Sequence, residues 1–302
     1  MSLNVKILQI CKLKCAMFKY GSVYKELRKE QEVTQTQACQ GICSISKLSR
    51  WENNQVEVEF STAIALLRRI NITLDEFTTR AEIATESELP KKIVIAIRDE
   101  NVPLLRKYAQ KHLAKYHTSK NFLELENILV VCNQLLLIEG KNYLSPADIQ
   151  RIGSYLLHNT VWSKYNLNLF ASSPFLLNSE LGFKIAMRIV HNFDQISDLS
   201  DNLTIFMGGL SDTVIAFILK KKLDYAQKLL NELKKINLPF YFMFFNIALT
   251  LLQKIIDYCH TGDEQPVLAI FDNLIQLNCS KQAQKLLEAF KDVKKVWEDE
   301  NV

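Results

Sequence analysis

The sequence predicts an all-α protein, on three observations. The chain has 302 residues, 48% of them hydrophobic, which is enough to fill about two cores. It contains only eight glycines and six prolines, so turn-rich sheets are disfavoured. Apolar side chains recur three and four residues apart along most of the chain, which is the period of an amphipathic helix. We therefore expect helices throughout, arranged in two domains.

The first three helices are predicted from their apolar spacing and their caps. Apolar residues predict a first helix over residues 17–31. Thr34 and Gln37 form a T-x-x-Q capping box, which begins a short second helix that ends before Gly41. Gly41 tolerates the positive φ of a sharp turn, and Ser44 can then cap a third helix.

Two further helices complete a five-helix N-terminal domain. Ser61 is the predicted cap of the fourth helix, and Thr73 with Glu76 forms a second capping box that begins the fifth. Helices two and three are short, and the third carries Ser, Lys and Arg instead of acids, which is typical of a DNA-reading helix-turn-helix. An ordinary helical hairpin is the alternative. Residues 1–50 hold nine Lys or Arg and three acids, which indicates a polyanionic partner for this part.

A polar, proline-containing segment over residues 81–92 predicts a linker. Helical stripes then recur in pieces that make about five helix pairs, over residues 102–116, 119–139, 146–158, 160–171, 175–193, 202–220, 223–236, 239–258, 264–278 and 281–298. The chain thus divides into an extension that need not belong to the native start, a helix-turn-helix domain, the linker and a helical-repeat domain (residues 1–16, 17–80, 81–92 and 93–302).

Composition and motifs disfavour several classes of protein. Two C-x3-C pairs, Cys11 with Cys15 and Cys39 with Cys43, have possible zinc-ligand spacing, but we expect reduced thiols, no metal and no cofactor. No phosphate loop, H-E-x-x-H or G-x-S-x-G motif is present, so we expect no enzyme. The longest apolar run, residues 128–138, is too short to span a bilayer, and no signal peptide is evident; we expect a cytoplasmic protein without membrane contact.

The N-terminal motifs resemble those of a known family. T-Q at 34–35, G-I at 41–42 and L-S-R-W-E-N at 48–53 resemble the lambda-repressor-type, or Xre-type, helix-turn-helix. Over residues 20–80 the chain resembles more closely the Rgg family, also called MutR or GadR, of Gram-positive transcriptional regulators. This resemblance implies a lambda-repressor-like domain followed by an α-solenoid of tetratricopeptide-like helix pairs. It also implies quorum sensing through a peptide pheromone.

The resemblance assigns DNA contacts to five residues of the helix-turn-helix. Gln35 matches a position that clamps a phosphate, helped by the positive N-terminal end of the second helix. Ser44, Ser46, Lys47 and Arg50 match positions on the third helix that face the major groove. A guanidinium such as that of Arg50 can make a bidentate contact to guanine.

Other positions matched by the resemblance are structural. Arg28 and Glu52 match an ion pair that ties the first helix to the third, so breaking it should affect folding more than contacts. The chain departs from the family at Asn54, where glycine is common, although asparagine also accepts the left-handed conformation.

The helical-repeat domain offers weaker candidates for a peptide site. A solenoid has a concave face suited to an extended peptide, and Arg151, Tyr155, Ser172 and Asp212 are candidates for that face. Ser172 and Asp212 stand where the resemblance leads us to expect asparagines. The aromatic run over residues 162–170 is a further candidate, with packing in the core as the alternative. The aromatic cluster over residues 240–245 is too dense for one buried stripe, which favours a homodimer through this domain.

The leading hypothesis is therefore a DNA-binding transcriptional regulator that is gated by a short hydrophobic peptide, with activation favoured over repression. One alternative keeps DNA binding but replaces the peptide with a small molecule or a protein partner. Another is a helical-repeat adaptor that does not bind DNA.

Overall fold

A computed structural model describes residues 20–81, 91–196 and 200–298, and these residues form helices and turns without a strand. The predicted all-α class is confirmed. The chain divides into two compact units, residues 1–88 and 89–302. The predicted extension, Cys11 and Cys15 lie outside the described residues, as does most of the predicted linker.

The described part of the N-terminal unit forms five helices, which are α1 (Tyr20–Glu30), α2 (Gln35–Cys39), α3 (Ile45–Glu52), α4 (Phe60–Arg69) and α5 (Leu74–Arg80). Both predicted capping boxes are confirmed, at Thr34 and at Thr73. Gly41 has the predicted positive φ, at 73°. The core of this unit is apolar, and its fully buried members include Tyr24, Leu48 and Leu66.

The prediction that Ser61 caps the fourth helix is wrong. Helix α4 begins at Phe60, and Glu59 is its N-cap, with extended backbone and no side-chain cap hydrogen bond. A capping residue must lie outside the helix with non-helical backbone, whereas Ser61 already lies in the first turn.

The C-terminal unit contains twelve described helices and one short 3₁₀ turn. Their bounds are α6 (Lys91–Arg98), α7 (Val102–Ser119), α8 (Phe122–Glu139), α9 (Pro146–His158), α10 (Lys164–Ala171), α11 (Ser179–His191), α12 (Phe193–Ile196), α13 (Ser200–Leu219), α14 (Leu223–Leu233), the turn Phe240–Phe242, α15 (Met243–Thr261), α16 (Gln265–Gln276) and α17 (Ser280–Glu298). Helices α9, α11 and α14 contact one another in sequence, and α8, α10, α13 and α15 form a second row. This layering is that of stacked helix pairs, while the number of repeat units stays a prediction.

The helix starts differ from prediction where caps decide them. Helix α10 begins at Lys164 instead of residue 160, because Ser163 accepts a hydrogen bond from the Asn166 amide. Helix α11 begins at Ser179 instead of residue 175, because Asn178 caps it. Helix α6 was not predicted.

Among the described residues, two helical segments are long and apolar enough to cross a membrane by length and composition, so the criterion of an uninterrupted apolar run was too narrow. Residues 202–219 carry one charged side chain, Asp212, and 61% of this window is buried within the unit; residues 240–261 are 33% buried. The sequence reading missed residues 202–219 because Gly, Ser, Thr and one Asp interrupt the apolar run without lowering its mean hydropathy much. Core helices of soluble proteins pass the same test.

Candidate nucleic-acid interface and effector groove

A buried ion pair joins α1 to α3. Arg28 Nε donates to Glu52 Oε1 at 2.6 Å, and Arg28 Nη2 donates to Glu52 Oε2 at 2.8 Å. Arg28 is 6% exposed and Glu52 is 1% exposed. Arg28 Nη1 also donates to the Val33 carbonyl at 2.6 Å, so the guanidinium holds the start of the turn that leads to α2. The hydrogen bonds to Glu52 raise the pKa of Arg28 further above its ordinary value. The pair is therefore a framework element, as the sequence led us to expect.

Gln35, the predicted phosphate clamp, is partly engaged by this framework. Its side-chain Nε2 donates to Glu52 Oε2 at 2.8 Å. The amide that a phosphate would need as a donor is therefore turned towards Glu52. Gln35 is nevertheless the first residue of α2, where backbone N–H groups have no partner within the helix. A phosphate at this helix end would be held by the backbone and the helix dipole, with the Gln35 side chain acting as a support.

The turn between α2 and α3 is held from outside by a residue that the sequence did not indicate. Gly41 takes φ of 73°, and the Cys39 carbonyl accepts from the Ile42 amide at 2.9 Å. Arg69, at the end of α4, donates to the Gln37 carbonyl at 3.2 Å and to the Gln40 carbonyl at 3.1 Å. These carbonyls lie at the C-terminal end of α2, where a cation is stabilised by the helix dipole. Arg69 thus fixes the position of α2 and of the turn after it.

Helix α3 has a buried side and an exposed side. Leu48, Trp51 and Glu52 are buried, whereas Ser46 and Arg50 are exposed and Lys47 is half-buried. Neither the Arg50 guanidinium nor the Lys47 ammonium has an ion-pair partner within the part of the chain that the structure describes. The Ser44 hydroxyl accepts from the Lys47 amide at 3.2 Å, which leaves its proton free to donate. The exposed side therefore presents polar donors in the pattern that groove recognition uses.

Two close approaches fix α1 against α3. A Cβ atom on Gly21 would lie 1.7 Å from the Trp51 carbonyl oxygen, so only glycine permits this crossing. Asn54 takes the expected left-handed conformation, with φ of 54°. Its side-chain Oδ1 also accepts from the Ser22 amide at 3.1 Å, which satisfies a backbone donor in the first turn of α1. Asparagine thus contributes a hydrogen bond that glycine could not.

In the C-terminal unit, Ser172 and Asp212 lie beside one helix crossing. A Cβ atom on Gly209 would lie 2.8 Å from the Ala171 Cβ, so α10 and α13 touch at this point. Ser172 directly follows Ala171, and Asp212 is less than one turn beyond Gly209. The structure therefore brings these two candidates to the same crossing.

The Asp212 carboxylate is exposed to solvent and has protein atoms close around it. Its side chain is exposed, and the carboxylate has no hydrogen-bond or ion-pair partner among the described residues. The protein around it nevertheless reduces its solvation and raises the pKa of Asp212 to about 6. A carboxylate that water reaches but that protein surrounds on several sides is suited to meet a bound ligand.

Arg151 and Tyr155 lie one turn apart on α9. Arg151 Nη1 is 3.5 Å from the Tyr116 hydroxyl, and the Tyr155 hydroxyl donates to the Asn166 Oδ1 of α10 at 3.0 Å. Asn166 is buried and also donates to the Val161 carbonyl at 2.7 Å. Tyr155 therefore takes part in a polar bridge between α9 and α10. This bridge depends on Asn166, which the sequence did not indicate.

The aromatic run of residues 162–170 belongs to the core, which is the alternative that the sequence left open. Its buried members are Trp162, Leu167, Leu169 and Phe170.

Lys220 is a partly buried polar residue that the sequence did not indicate. Its ammonium donates to the Phe175 carbonyl at 2.9 Å and to the Leu177 carbonyl at 2.6 Å, and burial lowers its pKa to about 8.

Large apolar side chains are exposed at the start of α15. Phe240 is 91% exposed, and Tyr241, Met243 and Phe244 are also exposed, whereas Phe242 is buried. We call these four exposed residues the aromatic ridge. Beside it, a groove of about 310 Å³ lies between α15 and α16. The aromatic cluster of residues 240–245 therefore lies partly in the core and partly on the surface, in agreement with a cluster too dense for one buried stripe.

The described residues hold no group of three or more His, Cys, Asp or Glu side chains that could bind a metal ion. Cys39 and Cys43 are free thiols on either side of the turn before α3.

Two family models match the chain. Residues 107–289 match the model described as HTH-type transcriptional regulator Rgg, C-terminal domain. Residues 25–77 match a helix-turn-helix model. The first match covers more than half of the chain, and the second covers α2 and α3 with the helices around them.

Solved structures share the fold over nearly the whole chain. One is described as a transcriptional regulator from Listeria monocytogenes EGD-e, with 18% identity, a TM-score of 0.68, and coverage of 94% of this chain and 99% of that one. Another is the SHP pheromone receptor Rgg2 of Streptococcus dysgalactiae, with 18% identity, a TM-score of 0.66, and coverage of 90% and 98%. A third is the PrgX/cCF10 complex, with 18% identity, a TM-score of 0.65, and coverage of 93% and 94%.

Proposed function

Because this chain belongs to the Rgg family of helix-turn-helix transcriptional regulators, we propose that it binds a promoter operator through α3 and that its C-terminal unit binds a short hydrophobic peptide. The single observation that carries the DNA part is the exposed side of α3, where the Arg50 guanidinium stands without an ion-pair partner among the described residues. In this role Ser46, Lys47 and Arg50 contact base edges or phosphates. Ser44 and the start of α2 at Gln35 contact the sugar-phosphate backbone of the DNA.

The test of this interface is the variant Arg50→Ala. Duplexes bound by the protein are first selected from random-sequence DNA, and the affinity for the best duplex is measured by fluorescence anisotropy. Loss of a bidentate guanine contact costs about 1–3 kcal/mol, which is about a 5- to 150-fold loss of affinity. Arg80→Ala is the matched control, since it removes the same charge from an exposed guanidinium that is paired with Glu30.

Two results contradict the DNA assignment. Equal affinities for Arg50→Ala and Arg80→Ala would show that α3 does not read the duplex. Binding by the wild type that does not weaken as salt is raised would favour the adaptor alternative, because phosphate contacts release counterions.

The peptide part rests on the crossing of α10 and α13. An extended peptide has unpaired backbone N–H groups, and the solvent-accessible carboxylate of Asp212 and the hydroxyl of Ser172 can accept hydrogen bonds from them. Arg151 and Tyr155, one turn apart on α9, supply a cation and a hydroxyl from the neighbouring row of helices, which the Tyr155 hydroxyl joins to α10 through Asn166. A solved structure described as a bacterial peptide pheromone/receptor complex, with 18% identity and a TM-score of 0.65, supports a peptide ligand for this architecture.

Thermal shift measurements with a library of short hydrophobic peptides and with common metabolites test this assignment. We expect a peptide to raise the unfolding temperature of the wild type, and Asp212→Asn to weaken that shift. Asp224→Asn, which changes an exposed carboxylate on α14, should leave it unchanged. Stabilisation by metabolites alone would favour the small-molecule alternative.

We also propose a homodimer formed through the C-terminal unit, in which a partner copy covers the aromatic ridge. Isolated exposure of a large apolar side chain is common, but four such residues in one short segment mark an interaction site. Sedimentation should give a dimer for the wild type and a monomer for the double variant Phe240→Ser, Phe244→Ser. Val161→Ser, at an exposed valine elsewhere, is the control. A double variant that remains dimeric would exclude the ridge as the interface.

The remaining proposals concern location and the direction of regulation. A protein that binds chromosomal operators acts in the cytoplasm, and we assign residues 202–219 to the core of the C-terminal unit because 61% of that window is buried. Cell fractionation should recover the protein without detergent. We propose activation as the direction of control, so a reporter under the bound promoter should fall in a deletion strain.

A further inference from the structure

Ile45 is an apolar residue in a polar setting on α3. It is the first residue of the helix, and its side chain is 48% exposed, between Ser44 and Ser46, which are also exposed. Among the described residues of the N-terminal unit it is not one of the hydrophobic side chains that pack against the core. The apolar contacts of α3 are made by Leu48 and Trp51 instead. Ile45 therefore contributes little to holding α3 in place.

The N-terminal unit gains little stability from the Ile45 side chain. A β-branched residue is a poorer helix former than alanine, and Ile45 leaves about half of its side-chain area in water. The exposed half of the Ile45 side chain would be buried only if a partner covered it. It lies in the first turn of α3 together with the exposed Ser46, and the N-terminal residues of a recognition helix are the ones that contact base edges.

A DNA base offers one apolar group to a side chain in the major groove. The C5 methyl of thymine is the only alkyl group among the unmodified base edges there, and apolar side chains distinguish thymine by contact with it. We propose that Ile45 is a specificity-determining residue that packs against the methyl group of one thymine in the operator. This inference rests on the proposed binding of DNA by α3. It adds one thymine to the bases that α3 recognises, and Ile45 recognises this thymine by an apolar contact instead of a hydrogen bond.

Removal of single methyl groups from the DNA tests this contact. In the duplex selected from random sequence, each thymine is replaced in turn by deoxyuridine, which lacks only the C5 methyl. The wild type should lose affinity about three- to fivefold at one position in each half-site, the value expected for one buried methyl group. For Ile45→Ala the same replacement should have almost no effect. Leu74→Ala, which shortens an apolar side chain of similar exposure at the start of α5, should retain the full effect.

The outcomes separate this inference from the function on which it rests. If Arg50→Ala loses binding but no deoxyuridine replacement weakens the wild type, α3 reads DNA and the role of Ile45 is wrong. The role is also wrong if Ile45→Ala keeps the deoxyuridine effect at every position, or if the selected half-site contains no thymine. If no duplex is selected at all, both proposals fail. Circular dichroism should show that Ile45→Ala remains folded, because the substitution removes an exposed side chain and raises helix propensity.

Discussion

Gly208 and Gly209 are neighbours in α13, yet alanine should act in opposite directions at the two positions. A Cβ atom on Gly208 meets no atom within 4 Å. A Cβ atom on Gly209 would lie 2.8 Å from the Ala171 Cβ and 2.9 Å from the Ala171 Cα. Because the second of these atoms is backbone, α10 and α13 would have to move apart to relieve the contact.

The expected magnitudes follow from two effects. Replacing glycine by alanine inside a helix stabilises it by about 0.5–1 kcal/mol, and this gain is the same at both positions. Overpacking at Gly209 costs about 1–3 kcal/mol. Gly208→Ala should therefore stabilise the C-terminal unit by about 0.5–1 kcal/mol. Gly209→Ala should be less stable than Gly208→Ala by the whole packing cost, about 1–3 kcal/mol.

The assay is urea unfolding followed by tryptophan fluorescence. Of the three tryptophans, Trp162 and Trp297 belong to the C-terminal unit, so a Trp51→Phe background restricts the signal to that unit. Equal stabilities for the two alanine variants would refute the close contact of α10 with α13. Since Ser172 and Asp212 lie beside this contact, Gly209→Ala should also weaken the thermal shift caused by a bound peptide, and Gly208→Ala should not.

Three further predictions concern the ion pair, the crossing at Gly21 and Asp212. Arg28→Met or Glu52→Gln leaves a buried charge or polar group unpaired and should lower the unfolding free energy by about 3–5 kcal/mol, whereas the double variant should lose less than the two single variants together. Urea unfolding followed by fluorescence, in a background in which Trp51 is the only tryptophan, measures this. Gly21→Ala should abolish the cooperative unfolding of the N-terminal unit, because its Cβ would overlap the Trp51 carbonyl oxygen, and a cooperative transition near that of the wild type would contradict this crossing. Burial raises the pKa of Asp212 to about 6, so the contribution of this group to the stability of the C-terminal unit should be fully present below about pH 4 and should be lost as pH rises from about 4 to about 6. Asp212→Asn should remove that part of the pH profile, measured by urea unfolding across the range.

The elements that the sequence predicted well are those whose signal is local. The capping boxes at Thr34 and Thr73 involve residues three apart, and the positive φ of Gly41 is a property of one residue. Ser61 was predicted wrongly because serine is a common cap, whereas the helix begins at Phe60 with Glu59 outside it. Local preference therefore locates a helix well but places its first residue less well.

The parts of the site that the sequence did not indicate depend on tertiary contacts. Arg69 is 29 residues from Gln40, whose carbonyl it holds. Asn54 is 32 residues from Ser22, and its side-chain oxygen accepts a hydrogen bond from the Ser22 amide. Neither pair has a spacing that a helical or turn pattern would reveal, because the contacts exist only once α1, α3 and α4 have packed. Gln35 shows the same limit, since its position was assigned but its hydrogen bond to Glu52 changes what its side chain can offer.

The two sides of α3 have a consequence for how such regulators diverge. The groups that anchor this helix, Leu48, Trp51 and Glu52, are buried, and the groups available to DNA project from the other side. On the role proposed for α3, substitutions at Ile45, Ser46 or Arg50 should therefore alter which promoter is recognised at little cost in stability. After gene duplication, one copy can acquire new target genes through a few surface changes while its folding and its response to a signal are inherited intact. Randomising these exposed positions should accordingly yield many folded proteins with different operators.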